Sequence, residues 1–304
     1  MFDHSIGELI SLGAVLGWTI SALVFESAGK RIGSVPVNII RLMMAALIIS
    51  LINTLRGITP WPEGIGTADT LWLLASGFVG FFLGDLLLFR SYLIIGSRMA
   101  MLMMSLSPPI SAILDRIVFG TRLAPGDGAG MALTMAGVAL AVSGKGRIKS
   151  ADKKAVSSRN ARLIGLLLAF GGAAGQSGGM ILGKLGMSGH DPLGSTFIRT
   201  FGGMAGFIPL ILATGAFGRV VKGVKDKPAM LRLGIGALAG PVFGVSAILL
   251  AMRYSPAGVV SAITAIVPIT IIIPSIIFLK DRVTLREVFG AVVAVTGVVV
   301  LIIT

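Results

Sequence analysis

In a chain of 304 residues with 55% hydrophobic and 13% charged side chains, groups able to do chemistry are few, and their positions stand out. Asp85 is the only acid well inside an apolar segment, and Arg41 lies well inside the segment before it. An ionised side chain in a bilayer costs roughly 2.5–3.5 kcal/mol on insertion scales unless it is paired or hydrated. Helical rise puts Asp85 about 12 Å and Arg41 about 9 Å from the same membrane face, so the two can pair. Arg90 is a poorer partner, because the intervening helix turns it about 140° away from Asp85. Such a pair has two uses. Held together it is structural; pulled apart, a desolvated Asp85 takes a proton and couples a conformational change to a gradient. Arg199 matches Arg41 in a later segment and lacks the corresponding acid, which is Val245 there. It can snorkel outward, pair elsewhere, or meet an anionic group.

Other chemistry is excluded by what is missing. There is no cysteine, and the two histidines are His4 and His190, so no cofactor or metal site is indicated. Gly175-Gln176-Ser177-Gly178 matches the string of intramembrane serine proteases, but that chemistry needs a histidine base within hydrogen-bond reach. Gly178…Gly183-Lys184 resembles a phosphate loop, yet Leu185 stands where a magnesium-binding hydroxyl is required. The sequence thus indicates no catalytic residues and no enzyme.

The elements that must position these residues are apolar blocks about 20 residues long, enough to cross a bilayer as a helix. They cover 6–25, 35–55, 70–93, 98–118, 125–143, 162–184, 191–214, 230–251, 256–278 and 284–303. Half of them repeat the other half. From Gly80/Gly240 through Gly84/Gly244, Pro108/Pro268, Arg122/Arg282, Gly130/Gly290 and Gly137/Gly297 the offset is a constant 160. Earlier in each half, Gly13/Gly171, Gly17/Gly175 and Arg41/Arg199 match at an offset of 158. Glycine, proline and arginine are not interchangeable filler in apolar helices, so the matches mark a duplication. The halves are 1–143 and 161–304, with the basic segment 144–160 as a cytoplasmic linker.

Charge sets the orientation. Lys and Arg number nineteen in the odd-numbered loops and five in the even-numbered ones, which puts the odd loops in the cytoplasm and both termini outside it. The net charge of +13 is thereby spent on loops that flank a membrane, and nucleic acid is rejected as a partner. Five crossings per half turn the second half upside down, giving an all-α polytopic membrane protein of ten transmembrane helices in two inverted-topology repeats.

Pro108-Pro109 and Pro268 should break the fourth and ninth helices. Irregular backbone inside a membrane needs a polar cavity, so these breaks mark the border of a site. Ser105, Ser107, Ser261 and Thr264 cluster one turn before them; the plainer alternative is a kink whose hydroxyls satisfy their own backbone. Gly13, Gly17 and Ser21, and Gly171, Gly175 and Gly179, form small faces for close helix packing. Gly130, Gly137, Gly290 and Gly297 do the same in the fifth and tenth helices, read as supports without substrate contact, and a homodimer is another use for that face.

The ten-helix duplication, the glycine-spaced first helices, the early arginines, the mid-helix prolines and Lys280-Asp281-Arg282-Val283-Thr284 before the last helix together resemble the EamA-type family of the drug/metabolite transporter superfamily. Asp281 supplies the acid usual before that stretch, whereas Thr121 stands in its place in the first half. The resemblance implies a secondary transporter in the plasma (inner) membrane that exports small organic metabolites such as amino acids, with the bilayer and a small-molecule substrate as partners. Its expected walls are Trp18, Phe81, Met103 and Met104 from the first half, and Gln176, Phe243, Ser246 and Thr264 from the second. The contrasting reading is a membrane scaffold or assembly factor, which predicts no central site and tolerance of change at Asp85 and Arg41.

Overall fold

The computed structural model describes residues 2–120, 125–143, 159–187, 189–254, 263–281 and 283–303. The basic linker lies outside them except for Arg159 and Asn160, which begin the seventh helix. All regular structure among the described residues is helical. The first half contains α1 (Phe2–Ile32), α2 (Ser34–Leu55), α3 (Thr67–Gly77), a π-helical segment (Phe78–Gly84), α4 (Asp85–Met104), α5 (Ser107–Phe119) and α6 (Pro125–Ser143). The second half contains α7 (Arg159–Gly186), α8 (Pro192–Ala213), α9 (Phe217–Lys225), α10 (Lys227–Ala237), a second π-helical segment (Leu238–Gly244), α11 (Val245–Tyr254), α12 (Val267–Thr270), α13 (Ile272–Pro274), a third π segment (Ser275–Leu279) and α14 (Leu285–Ile303). Six helical stretches are long and apolar enough to cross a membrane: Ile6–Ile32, Ser34–Leu55, Thr67–Met104, Asn160–Gly186, Pro192–Ala213 and Lys227–Ile248.

Local chemistry sets the boundaries. Asp191 caps α8 by accepting from Gly194 N at 3.0 Å, and Asp226 caps α10 by accepting from Ala229 N at 2.9 Å. Proline follows each cap, where a missing N–H costs nothing. Gly96, at φ 80°, breaks the run between the third and fourth expected spans. The proline breaks fall just ahead of their prolines, at the turns 105–106 and 265–266, in register with the duplication. The two broken helices also stop alike, on a left-handed residue: Gly120 at φ 70° and Lys280 at φ 57°. A side chain in that conformation costs roughly 1–2 kcal/mol, and Lys280 bears it where its counterpart is glycine.

Several expectations are corrected. The first helix runs to Ile32, past the expected end at 25. The third span is not one α-helix, because seven of its residues are π-helical, and the second π segment sits at the matching place 160 residues on. Periodicity of apolar residues does not reveal a change from 3.6 to wider turns in a segment apolar all round. The ninth span lies partly outside the described residues, and the rest is split into short turns because Pro268 and Pro274 interrupt it. The loop after α8 holds a helix, α9, with Arg219, Lys222 and Lys225 set against exposed Phe217, Val221 and Val224. That arrangement suits the membrane surface.

The halves are interleaved. α1 lies along α10, the second π segment and α11; α7 lies along α3, the first π segment and α4. α2 packs on α8, and α6 on α14. The last contact consumes the glycine faces of the fifth and tenth spans. A Cβ on Gly137 would strike the backbone of Ala294 and Gly290, and one on Gly297 would strike Thr134 and the Gly130 carbonyl. Gly128, on the same helix, has open space. Gly137→Ala should therefore destabilise the protein by about 1–3 kcal/mol through overpacking. Gly128→Ala should be neutral or stabilising by up to about 1 kcal/mol from helix propensity. Melting temperatures in detergent check this, and equal shifts for the two variants would refute the packing.

Candidate functional site

The site begins with glycine. Gly80 and Gly84 of the first π segment face Gly179 and Gly175 of α7, so close that a Cβ on Gly175 or Gly179 would collide with the opposing backbone. Two effects follow. The wide π turn leaves the Gly80 carbonyl accessible to Gln176 Nε2 at 3.4 Å. Asp85, the next residue after Gly84, is carried to the interface, where Gln176 Nε2 donates to its Oδ1 at 2.6 Å.

Arg41 Nη2 pairs with Asp85 Oδ2. Asn38 steadies both residues: its Nδ2 donates to the Asp85 carbonyl at 3.4 Å, and its Oδ1 accepts from Arg41 Nε at 3.1 Å. The Arg41 guanidinium lies 4.8, 5.8 and 5.9 Å from the ring centroids of Phe89, Phe25 and Phe81. Arg41 and Asp85 are both buried, so the charges are enclosed but fully partnered, the condition that makes burial tolerable. Arg199, from α8, turns inward rather than snorkelling and stacks 4.7 Å from the Phe81 centroid. Its Nε is enclosed and has no acceptor among the described residues. Phe81 thus carries one arginine from each half.

A second buried cluster was not anticipated. Glu26, in the extended end of α1, accepts from Ser97 N and pairs with Lys30. Arg98, just past the Gly96 break, holds Glu287 at 2.7 Å and lies 3.7 Å from Asp281. Glu287 and Thr284 form a capping box at the start of α14, with bonds of 3.1 and 3.4 Å. Glu26, Arg98, Asp281 and Glu287 are all buried, which ties α1 and α4 of the first half to the last loop and helix of the second. A cavity of about 10 Å³ between Arg98, Glu287 and Pro268 has room for about one water. Burial raises the Asp281 carboxyl, nearby Glu26 adds to this, and Arg98 opposes it. The signal was present in the sequence: Thr284-x-x-Glu287 is a capping-box pattern, and Glu26 sat one residue beyond the expected end of the first span.

At the opposite end, contacts are looser. Lys184 pairs with Asp115 at 2.7 Å over the Phe119 ring, Arg56 with Asp191 at 3.3 Å, and His190 with Asp69 at 3.2 Å. A pocket of about 420 Å³ opens there between the loops that carry Ile58, Pro62, Glu63 and His190.

Of the expected wall residues, Phe81 and Gln176 join Asp85, Arg41 and Arg199. Trp18 instead packs against Gly244. It is the duplicate of Gln176, since 18 plus the offset of 158 is 176. Phe243 lies over Gly13 and Gly17 and is 52% exposed. Met103 is buried in the apolar core with Met104 at its edge. Ser246 Oγ is enclosed without a partner among the described residues, and Thr264 is helical, just ahead of the turn 265–266 that precedes Pro268. No described contact joins Trp18, Phe243, Met103, Met104 or Ser246 to the arginine cluster. Ser261 falls outside the described residues. Ser107 and Ser177 bond each other at 3.0 Å and hold α5 to α7, which gives the protease-like string a structural use.

An all-helical, duplicated membrane fold with an enclosed ionic centre defines a polytopic transporter-like protein. The chain belongs to the EamA-like transporter family, whose model matches residues 5–143 and again 163–303. It is accordingly an integral, multi-pass membrane transporter of the drug/metabolite type. No curated protein matches the sequence. A solved structure described as "Crystal structure of protein" shares the fold, at a TM-score of 0.62 and 16% identity over 97% of this chain and 96% of that one.

Asp85→Asn removes the charge that compensates Arg41 in an enclosed site, which should cost on the order of 3–5 kcal/mol. Size-exclusion profiles should show reduced folded yield, and adding Arg41→Met should recover much of it. A native profile for Asp85→Asn alone would rule out a structural pair. Arg98→Met strands Glu287 and Asp281 in the same way and should lower the melting temperature more than Arg90→Met, because Arg90 is exposed.

Proposed function

We propose that the chain is a secondary transporter that crosses the plasma (inner) membrane ten times, in two inverted five-helix repeats, and exports small organic metabolites by alternating access. The observation that carries this reading is the interleaving of the halves around Arg41, Asp85, Gln176 and Arg199. The first helix of each half lies on the π-interrupted third helix of the other, so rocking one group against the other exposes the centre to either side in turn. The buried Glu26–Arg98–Glu287 cluster is the closure at one end, and the pocket near His190 is the mouth at the other. With odd loops cytoplasmic, the closed end faces the cytoplasm and both termini lie outside. In this reading 1–143 and 161–304 are the two repeats, each contributing helices to both moving groups, and the basic linker between them sits against anionic lipid.

The partnering of both Asp85 carboxylate oxygens, by Arg41 and Gln176, favours the structural over the proton-coupling role. Reconstituted liposomes tested with amino acids, nucleosides and cationic dyes, with and without a pH gradient, should show saturable counterflow of at least one class. Asp85→Asn protein that still folds should keep the pH response of its remaining flux. Absence of flux for every class would favour a scaffold. Thr304→Cys, in a chain without native thiols, should label from the non-cytoplasmic side; labelling from the cytoplasm alone would reverse the orientation.

A further inference from the structure

We propose that the Arg199 guanidinium on the face of Phe81 is an anion subsite, and that substrates of this transporter place a carboxylate there. The inference deepens the transport reading by naming a substrate class.

Charge is the first argument. Arg41 and half-buried Arg199 lie against the same Phe81 ring, and buried Asp85 pairs with Arg41 there. Two cations and one anion leave a single positive charge in excess. Both Asp85 oxygens are already used, Oδ2 by Arg41 and Oδ1 by Gln176, so the excess falls on Arg199. An arginine with enclosed, unbonded nitrogen bears a desolvation cost that an anion would relieve.

Space is the second. The residues flanking the guanidinium are glycines: a Cβ on Gly80 would lie 3.9 Å from Arg199 Nη2, and one on Gly183 3.9 Å from its Cζ. Beside Gly80 a methyl-sized space remains, since a Cβ there would meet only ordinary contacts, whereas on the Gly183 side Ser76 Oγ, 3.1 Å from the place a Cβ would take, narrows it.

Symmetry is the third. Arg41 and Arg199 are duplicates, and so are Asp85 and Val245. The first half supplies its arginine with a carboxylate and the second half does not. A substrate carboxylate takes the place of the missing acid and makes the two halves electrostatically alike. The planar guanidinium fork suits both carboxylate and phosphate, but one excess charge matches a monoanion and is overshot by a dianion.

Purified full-length protein in low-chloride detergent buffer provides the test, with melting temperature read against benzoate, its neutral isostere benzamide, and inorganic phosphate. Benzoate should stabilise saturably, and benzamide and phosphate should not. Arg199→Gln should raise the half-saturating benzoate concentration by about tenfold or more, the usual consequence of losing a charged hydrogen bond. Val245→Asp, which installs the missing acid and keeps the arginine, should do the same; it carries the comparison if Arg199→Gln does not fold. Equal response to benzoate and benzamide, an unchanged benzoate response in either variant, or no benzoate response at all would overturn the proposal, and stronger stabilisation by phosphate would replace the carboxylate with a phosphate group. Because this reads binding and the liposome assay reads flux, either proposal can fail alone.

Discussion

The structure depends on the close crossing of α7 over the first π segment. In a bilayer there is no hydrophobic drive to bring helices together, and tight backbone approach has to supply the attraction. Gly80 and Gly84 against Gly179 and Gly175 give that approach. The amide junction at the centre follows from it: Gln176 reaches Asp85 because Gly84 and Gly175 permit contact at backbone distance, and the buried Asp85 carboxylate then has Gln176 as well as Arg41 for a partner. A Cβ at this crossing would separate the groups that make the charge tolerable.

Two buried ionic clusters do different work with the same physics. The central one has more cation than anion. The one around Arg98 has more anion than cation, with Glu26, Asp281 and Glu287 facing Arg98 and Lys30. Asp226, paired with Arg31 on the surface, makes a useful contrast. Its carboxyl is held below the usual range by the Arg31 and Ala229 hydrogen bonds. Any stability it gives is present above the ordinary carboxylate range and is lost only as pH falls through its lowered pKa. Asp281 has the opposite sign: a carboxyl raised by burial favours the enclosed state when protonated, and that contribution is lost as pH rises through the raised value.

Much of this was legible in the sequence because the informative residues are rare ones. The glycine, proline and arginine matches set the duplication, and equal helical depth suggested the Arg41–Asp85 contact found in the structure. Gly96 and the turns before Pro108 and Pro268 fall where apolar runs or prolines suggested breaks. What stayed hidden were features that depend on backbone hydrogen bonding or on neighbours distant in sequence. The π segments are invisible to a hydropathy pattern, and Glu26 falls one residue past the expected end of the first span, whereas α1 continues about two turns further, to Ile32. Trp18, Phe243, Met103, Met104, Ser246 and Thr264 were chosen for their chemistry and expected depth. Depth does not say which way around the helix a side chain points: Trp18 and Phe243 lie against packing glycines, and Met103 and Met104 belong to the apolar core.

The duplication also explains why the centre is lopsided. A duplicated chain begins with two equivalent sites, and an unaltered pair would give Arg199 an acid at 245 and an amide at 18. The chain has Val245 and Trp18 there. Trp18 fills the contact with Gly244 that Gln176 makes beside Gly84, so one half keeps a polar junction and the other an apolar one. Packing in a membrane accepts either. Charge does not, because an arginine enclosed without its acid is costly unless something else pairs with it. The second half nevertheless keeps Arg199, turned inward on Phe81. Stability alone would favour an apolar residue there, as at 245, and this is the asymmetry that the proposed anion subsite accounts for.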